Sequence, residues 1–324
     1  MVKRAASLSL DLDNKWSYMK THGDSGWESY PSYLDVAVPR ILDFLAQRDL
    51  RITFFVVGQD AALDKNAAAL RSLADAGHEI GNHSFKHEPW LHLYSEEEID
   101  AELAKAEDSI ENATGKRPVG FRGPGFSLSE STLKVLKRRG YKYDATAFPN
   151  LLNPLARMYF FATSNLTKEE KEQRKALFGT VADALRPVKP YRWRMDQGTL
   201  TEIPVTTMPL FKIPIHFSYV LYLATYSTTL ARLYFRSALL MCRLTSTEPS
   251  LLLHPLDFLG SDDDRELAFF PAMNMPSQKK LEIMNVALKQ LTAHYDVLTM
   301  EQHASRIDER SDLRSFHPSF RHTG

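Results

Sequence analysis

The chain is poor in the features that cross-link, anchor or export a protein. One of its 324 residues is cysteine, Cys242, so no intrachain disulfide can form, and a reducing compartment fits. Neither sign of charge is in excess, with Lys+Arg and Asp+Glu at 40 each. No arginine-rich segment stands out, so no nucleic-acid partner is expected. The start, MVKRAASLSLDLDN, lacks the unbroken apolar stretch of about 7–15 residues that an export signal needs. Leu8, Leu10 and Leu12 alternate with polar residues instead, as in a strand, and the expected location is the cytoplasm. The most membrane-like run, IPIHFSYVLYLATYSTTLA at 213–231, contains Pro214, is full of Tyr, Thr and Ser, and lies between Lys212 and Arg232. A spanning helix needs about 20 predominantly apolar residues, and this segment is not read as one.

What is present is the make-up of a soluble globular protein, 44% hydrophobic and 25% charged. Strand and helix patterns alternate. ASLSLDLD, RITFFVVG, HEI, VGFR and YKYDAT read as strands, with amphipathic helical stretches between them. Ser95 with Glu98 three residues on matches a capping box, and Gly115 closes that helix. Repeated β-then-α units imply a parallel sheet with right-handed crossovers, and more than four units favour a closed α/β barrel. The rhythm breaks near Phe148. Residues from about 149 to 200 read as an insertion holding a charged helix, TKEEKEQRKALFG, and the turn-rich RPVKPYRWR. It resumes with TLTEIPV, a long helix near 218–243, SLLLHP, a helix and YDVLTM. The expected layout is one domain over 1–307 with the insertion, then a loose polar tail over 308–324.

In a parallel α/β barrel, functional side chains sit at the C-terminal ends of strands. Asp11 and Asp13 follow the first strand, His83 and His87 the third, Arg122 the fourth, Asp144 the fifth, and His254 ends SLLLHP. Residues two apart on a strand face the same side, so Asp11 and Asp13 both look into the mouth. A catalytic zinc site takes three ligands from His and Asp/Glu, and two imidazoles with one aspartate meet that need. Singly, each has a plainer reading: the aspartates as strand-end caps, the histidines as hydrogen-bonded loop or core residues, Arg122 as a surface ion pair. His78 is read as structural. Asp257 either orients His254 or starts a turn. Joint occurrence at successive strand ends argues for a site.

This set resembles the polysaccharide deacetylase family, metal-dependent carbohydrate esterases that remove N-acetyl groups from chitin-like and peptidoglycan sugars. LSLDLDN resembles the family's first aspartate motif, GHEIGNHSFKH its histidine motif, FRGPG its arginine–proline motif and LLLHP its leucine–histidine motif. YDATAFP stands where the family has an Asp-Trp motif, so Asp144 is given no role. The resemblance implies a distorted (β/α) barrel of about seven parallel strands. It implies that Asp13, His83 and His87 hold a divalent metal, with Zn²⁺ expected and Co²⁺, Ni²⁺ or Mn²⁺ accepted by the same donors. Asp11 then takes a proton from the metal's water, Arg122 holds Asp11, and His254 protonates the leaving amine. The Gly125 amide, beside Pro124, faces the oxyanion, and Leu252 lines the acyl pocket.

The expected reaction is hydrolysis of an N-acetyl or N-formyl group from an amino sugar. A cytoplasmic location and the apolar 150–245 region, with Arg157, Lys212, Arg232 and Arg236 flanking it, point to a lipid-linked or glycolipid substrate and peripheral contact with the inner face of a membrane. Two alternatives stay open: an amide hydrolase of the same fold acting on a small non-sugar molecule, and a non-catalytic glycan- or lipid-binding barrel.

Overall fold

The computed structural model describes residues 3–152 and 181–320. Alternation within the first strand sets the architecture. In β1 (Arg4–Leu12), Leu8, Leu10 and Leu12 face outward into the helix-side core with Val38, Ile41 and Leu45. The intervening Ser7, Ser9 and Asp11 face the other way. The chain then adds β2 (Thr53–Val56), β3 (Glu79–Asn82), β4 (Gly120–Phe121), β5 (Tyr143–Asp144), β6 (Tyr191–Met195), β7 (Gly198–Glu202), β8 (Ser250–Leu253), β9 (Tyr295–Leu298) and β10 (Ser315–Phe316).

Neighbouring strands run in the order β7-β5-β4-β3-β2-β1-β8, all parallel. These are the seven parallel strands expected. Closure is by a thread rather than a full ladder. Beyond β7 the chain donates from Thr206 N to the Ser250 carbonyl at 2.9 Å, and Thr206 Oγ1 accepts from Ser250 N at 2.8 Å. That irregular seam makes the α/β barrel a distorted one.

The helices wrap the outside, and their ends obey local rules. Ser95 and Glu98 form the expected reciprocal cap of Glu96–Thr114, and Gly115 ends it in the left-handed region. Among the described residues, no helix is long and apolar enough to cross a membrane.

Four features differ from the sequence reading. Lys15–His22 is a helix, capped by Asn14, where none was expected. The stretch read as turn-rich contributes β6, which pairs antiparallel with β7. Its YRWRM alternates, with Tyr191 and Trp193 buried and Arg192 and Arg194 turned out, and Gly198 at φ 115° makes the turn. The single helix near 218–243 is two, Phe217–Tyr226 and Thr228–Leu244. Ser227 sits between them in extended conformation, its side chain accepting from Leu230 N. The polar tail is not loose over its described part. Helix Met300–Asp308 precedes β10, which pairs with β6, while Phe316 and Phe320 pack on the cluster holding Tyr191 and Trp193. Two aromatic side chains were enough to anchor a polar segment. The charged helix expected at 167–179 lies outside the described residues.

Candidate active site

Strand register brings the site together. Leu10 pairs with Leu253, so Asp11 and His254 each stand one residue beyond, on adjacent strands. Asn82 pairs with Phe121, so His83 and Arg122 stand side by side in the same way. Asp13 lies one residue past the end of β1.

The loop after β3 carries both histidines. His83 Nδ1 donates to the Arg122 carbonyl at 2.6 Å, which fixes the tautomer and leaves the Nε2 lone pair free to face inward. Asn82 Oδ1 accepts from Ser84 N at 2.8 Å, and its amide donates to Tyr141 Oη at 2.7 Å. Ser84 at φ 62° and His87 at φ 53° are both left-handed, a costly conformation for residues with a side chain. That double reversal turns His87 back toward Asp13.

The result is a three-donor cluster. Asp13 Oδ1 lies 2.9 Å from His87 Nε2 and 3.4 Å from His83 Nε2. One donor atom from each of the three residues lies within 4.8 Å of the others. Asp13 Oδ1 is buried, yet the ring nitrogens near it are not aligned as hydrogen-bond donors, so it is an orphaned acceptor. Burial alone would raise the Asp13 carboxyl, but the charges of His87 and His83 hold it well below the usual carboxylate range. Burial opposes charging His83, and Asp11 and Asp13 more than offset it, raising that ring. Two imidazoles and a carboxylate, one oxygen unsatisfied and no lysine or arginine among them, suit a divalent cation.

Beside this cluster lies a buried ion pair. Arg122 Nη1 donates to Asp11 Oδ1 at 2.7 Å and to Ser9 Oγ at 2.8 Å. Arg122 Nε donates to the Ala145 carbonyl at 2.9 Å, and the guanidinium lies 4.4 Å from the centre of the Phe55 ring. Arg122 is fully buried rather than in a surface pair. Removing one partner of such a pair costs about 3–5 kcal/mol, and its local role is to hold Asp11 in place.

Gly125 sits in the short turn Pro124–Phe126 at φ 59°, and an added Cβ there would come within 2.9 Å of Pro89. On β8, Leu251 and Leu253 join the helix-side core and Leu252 does not, so Leu252 shares the inner face with His254.

His254 is held by groups that sequence pattern does not reveal. Its Nδ1 lies 3.1 Å from Ser218 Oγ, which donates to Asp257 Oδ1 at 2.8 Å. Asp257 Oδ2 accepts from His254 N at 2.8 Å, so the carboxylate orients the histidine at both ends. Ser218 comes from a different helix and bears no motif; nothing in the sequence marked it. His78 accepts from Ile52 N at 3.1 Å and is structural, as read. Asp144 accepts from Thr146 Oγ1 and lies beside Glu202. Burial raises Asp144 and pushes Glu202 well above its usual range. This carboxyl pair belongs to the framework and not to the cation cluster.

The family model for polysaccharide deacetylase matches residues 24–143. The peptidoglycan deacetylase of Helicobacter pylori is 29% identical over 164 residues, covering 50% of this chain and 55% of that protein. The peptidoglycan-N-acetylmuramic acid deacetylase of Bacillus subtilis is 35% identical over 105 residues, covering 32% and 39%. A solved structure from Mycobacterium smegmatis, assigned as a polysaccharide deacetylase, superposes with a TM-score of 0.62 at 19% identity, covering 100% of this chain and 97% of the other. Over residues 24–143 the chain is similar to the polysaccharide deacetylase family, and its overall fold matches that of the solved structure. It spans about half the length of the curated relatives it matches.

Proposed function

We propose that this chain is a hydrolase that removes an N-acyl group, acetyl or formyl, from an amino sugar. The observation that carries the reading is the buried Asp11–Arg122 pair beside the Asp13, His83 and His87 cluster at the same strand ends. A pure binding barrel has no use for a fixed carboxylate next to a cation site. Asp13, His83 and His87 would hold the ion, for which we propose Zn²⁺, although the donor set also accepts Co²⁺, Ni²⁺ and Mn²⁺. When bound, the ion supplies Lewis acidity toward the acyl oxygen and makes water more acidic.

The chain's own residues do the rest. Asp11, held by Arg122, receives the proton of the attacking water. The Gly125 amide, in its tight turn beside Pro124, donates to the developing oxyanion; such a donor is worth about 3–4 kcal/mol. Leu252 lines the acyl pocket. His254, oriented by Ser218 and Asp257, protonates the departing amine. The products are a carboxylic acid and a free amino sugar.

We further propose that the sugar is lipid-linked or a glycolipid and that the protein works in the cytoplasm at the inner face of a membrane. The relatives named above act on peptidoglycan by name, which supports an amino sugar without fixing its carrier.

Acetate and formate release from soluble and lipid-linked amino sugars, alongside a panel of small non-sugar amides, tests the reading. Release from an amino sugar, abolished by chelation and restored by Zn²⁺, is the expected result. Hydrolysis of only the small amides would replace this reading with a non-sugar amidase.

A further inference from the structure

The two helices after β7 present a surface that the fold does not explain. Along Thr228–Leu244, Ala231, Phe235, Ala238, Leu239 and Cys242 are buried against the barrel. The outward face is apolar as well. Leu230 is 52% exposed, Leu233 53%, Leu240 50% and Leu244 76%. With Ser237 they recur at steps of three, four, three and four residues, which places them on one stripe opposite the packed face. Tyr226, 72% exposed, extends the stripe past the break at Ser227. Arg232, Arg236 and Arg243 lie exposed along one flank, without an ion-pair partner among the described residues. The sequence has no Asp or Glu anywhere from 203 to 247.

We propose that this stripe docks the protein on an anionic lipid bilayer, with the leucines entering the acyl boundary and the arginines meeting lipid phosphates. Charge selects the occupant. A second copy packing through the same face would bring two sets of arginines together with no acid in the 203–247 stretch to neutralise them. An anionic bilayer supplies that charge, and basic residues at its surface are attracted to it. The structure also refines the expected basic set. Lys212 is occupied, its Nζ donating to the carbonyls of Ala184 and Arg186 at 2.9 and 2.8 Å, so it is not available to lipid. Arg157 lies outside the described residues, and Arg243 joins Arg232 and Arg236. The preceding helix Phe217–Tyr226 carries Ser218 against His254, so docking would tie the site to the lipid surface. That last link rests on the proposed deacylase function; the docking itself does not.

The test is flotation of the full chain with vesicles of phosphatidylcholine, with and without phosphatidylglycerol. The wild type should float with the anionic vesicles and less so as salt rises. Leu233→Glu with Leu240→Glu should partition at least about tenfold more weakly, because both side chains leave the apolar phase. Arg232→Ala with Arg236→Ala, which leaves the stripe intact, should weaken binding several-fold and remove most of the salt dependence. His83→Ala should float like the wild type, which separates docking from catalysis. No flotation of the wild type with either vesicle overturns the proposal. So does unchanged flotation of the double-glutamate variant. A wild-type dimer by light scattering, lost in that variant and accompanied by no vesicle binding, would assign the face to a second copy instead.

Discussion

The two sides of the proposed site are built differently. On the cation side, His83, Arg122, Asp11 and Asp13 all sit at or just beyond strand ends, and backbone groups fix them: the Arg122 carbonyl holds His83, and the Ala145 carbonyl holds Arg122. On the acid side, His254 also ends a strand, but a hydroxyl from a separate helix holds its ring. The first arrangement is set by sheet register, except for His87, which the loop after β3 turns in. The second depends on how the helix Phe217–Tyr226 docks, and a small shift of that helix would detune it. A site of this kind keeps its metal geometry under perturbation and loses proton delivery first.

Perturbing the cation side should have the largest effects. His83→Ala or Asp13→Ala removes a ligand and should lose both the ion and turnover, a fall of about a thousandfold or more, since the ion's stabilisation of developing charge is worth several kcal/mol. Metal content by plasma mass spectrometry alongside product release measures both. Asp11→Asn keeps the ligands and removes the base. It should retain the ion and lose about 10²–10⁴ in turnover.

The acid side should respond less and in a different way. His254→Ala should cost about a hundredfold. Ser218→Ala should cost about five- to tenfold, the worth of one hydrogen bond of about 1 kcal/mol. Ser218 Oγ donates its own hydrogen to Asp257, so it accepts from the Nδ1–H of His254. Without it the ring is less firmly oriented, and turnover should fall with KM little changed. Ser218→Thr should restore the rate. A Ser218→Ala turnover equal to that of the wild type would mean that the hydroxyl only packs.

A separate effect concerns stability, under the cation side. Burial pushes the Asp60 carboxyl up to about 7, against the donations of Asn14 and Trp16 to Oδ1. Its Oδ2 has no partner. A raised carboxyl means that the fold binds a proton which the unfolded chain has released. The stability it contributes is therefore present below about pH 4 and lost as pH rises through about 7. Asp60→Asn should match the wild type near pH 4 and exceed it above pH 7, by at most about 4 kcal/mol. Urea unfolding of both proteins at the two pH values reads this, and a difference that does not vary with pH would contradict it.

The legible and illegible parts divide along the same line. Leu8, Leu10 and Leu12 alternating ahead of Asp13 gave the first strand, and GHEIGNHSFKH gave the histidine loop, because local pattern and chain position suffice for both. The reversals at Ser84 and His87 were not visible, since nothing in either residue type demands φ above zero. β6 was hidden because its neighbours Pro187 and Pro190 read as turns, while the alternation of Tyr191 and Trp193 covers only five residues. The tail was misread because polarity outweighed Phe316 and Phe320, and only tertiary packing gives those two rings a partner. Ser218 is the clearest case. One serine in an apolar helix carries no signal until His254 is brought within 3.1 Å of it by the fold.

The most direct test is to measure bound metal and amide hydrolysis on the same preparations of wild type and Asp11→Asn. Ligation by Asp13, His83 and His87, with proton transfer by a separate carboxylate, predicts one divalent ion per chain in both proteins and turnover in the wild type alone. Loss of the ion from Asp11→Asn, or undiminished turnover in it, would contradict that division of labour.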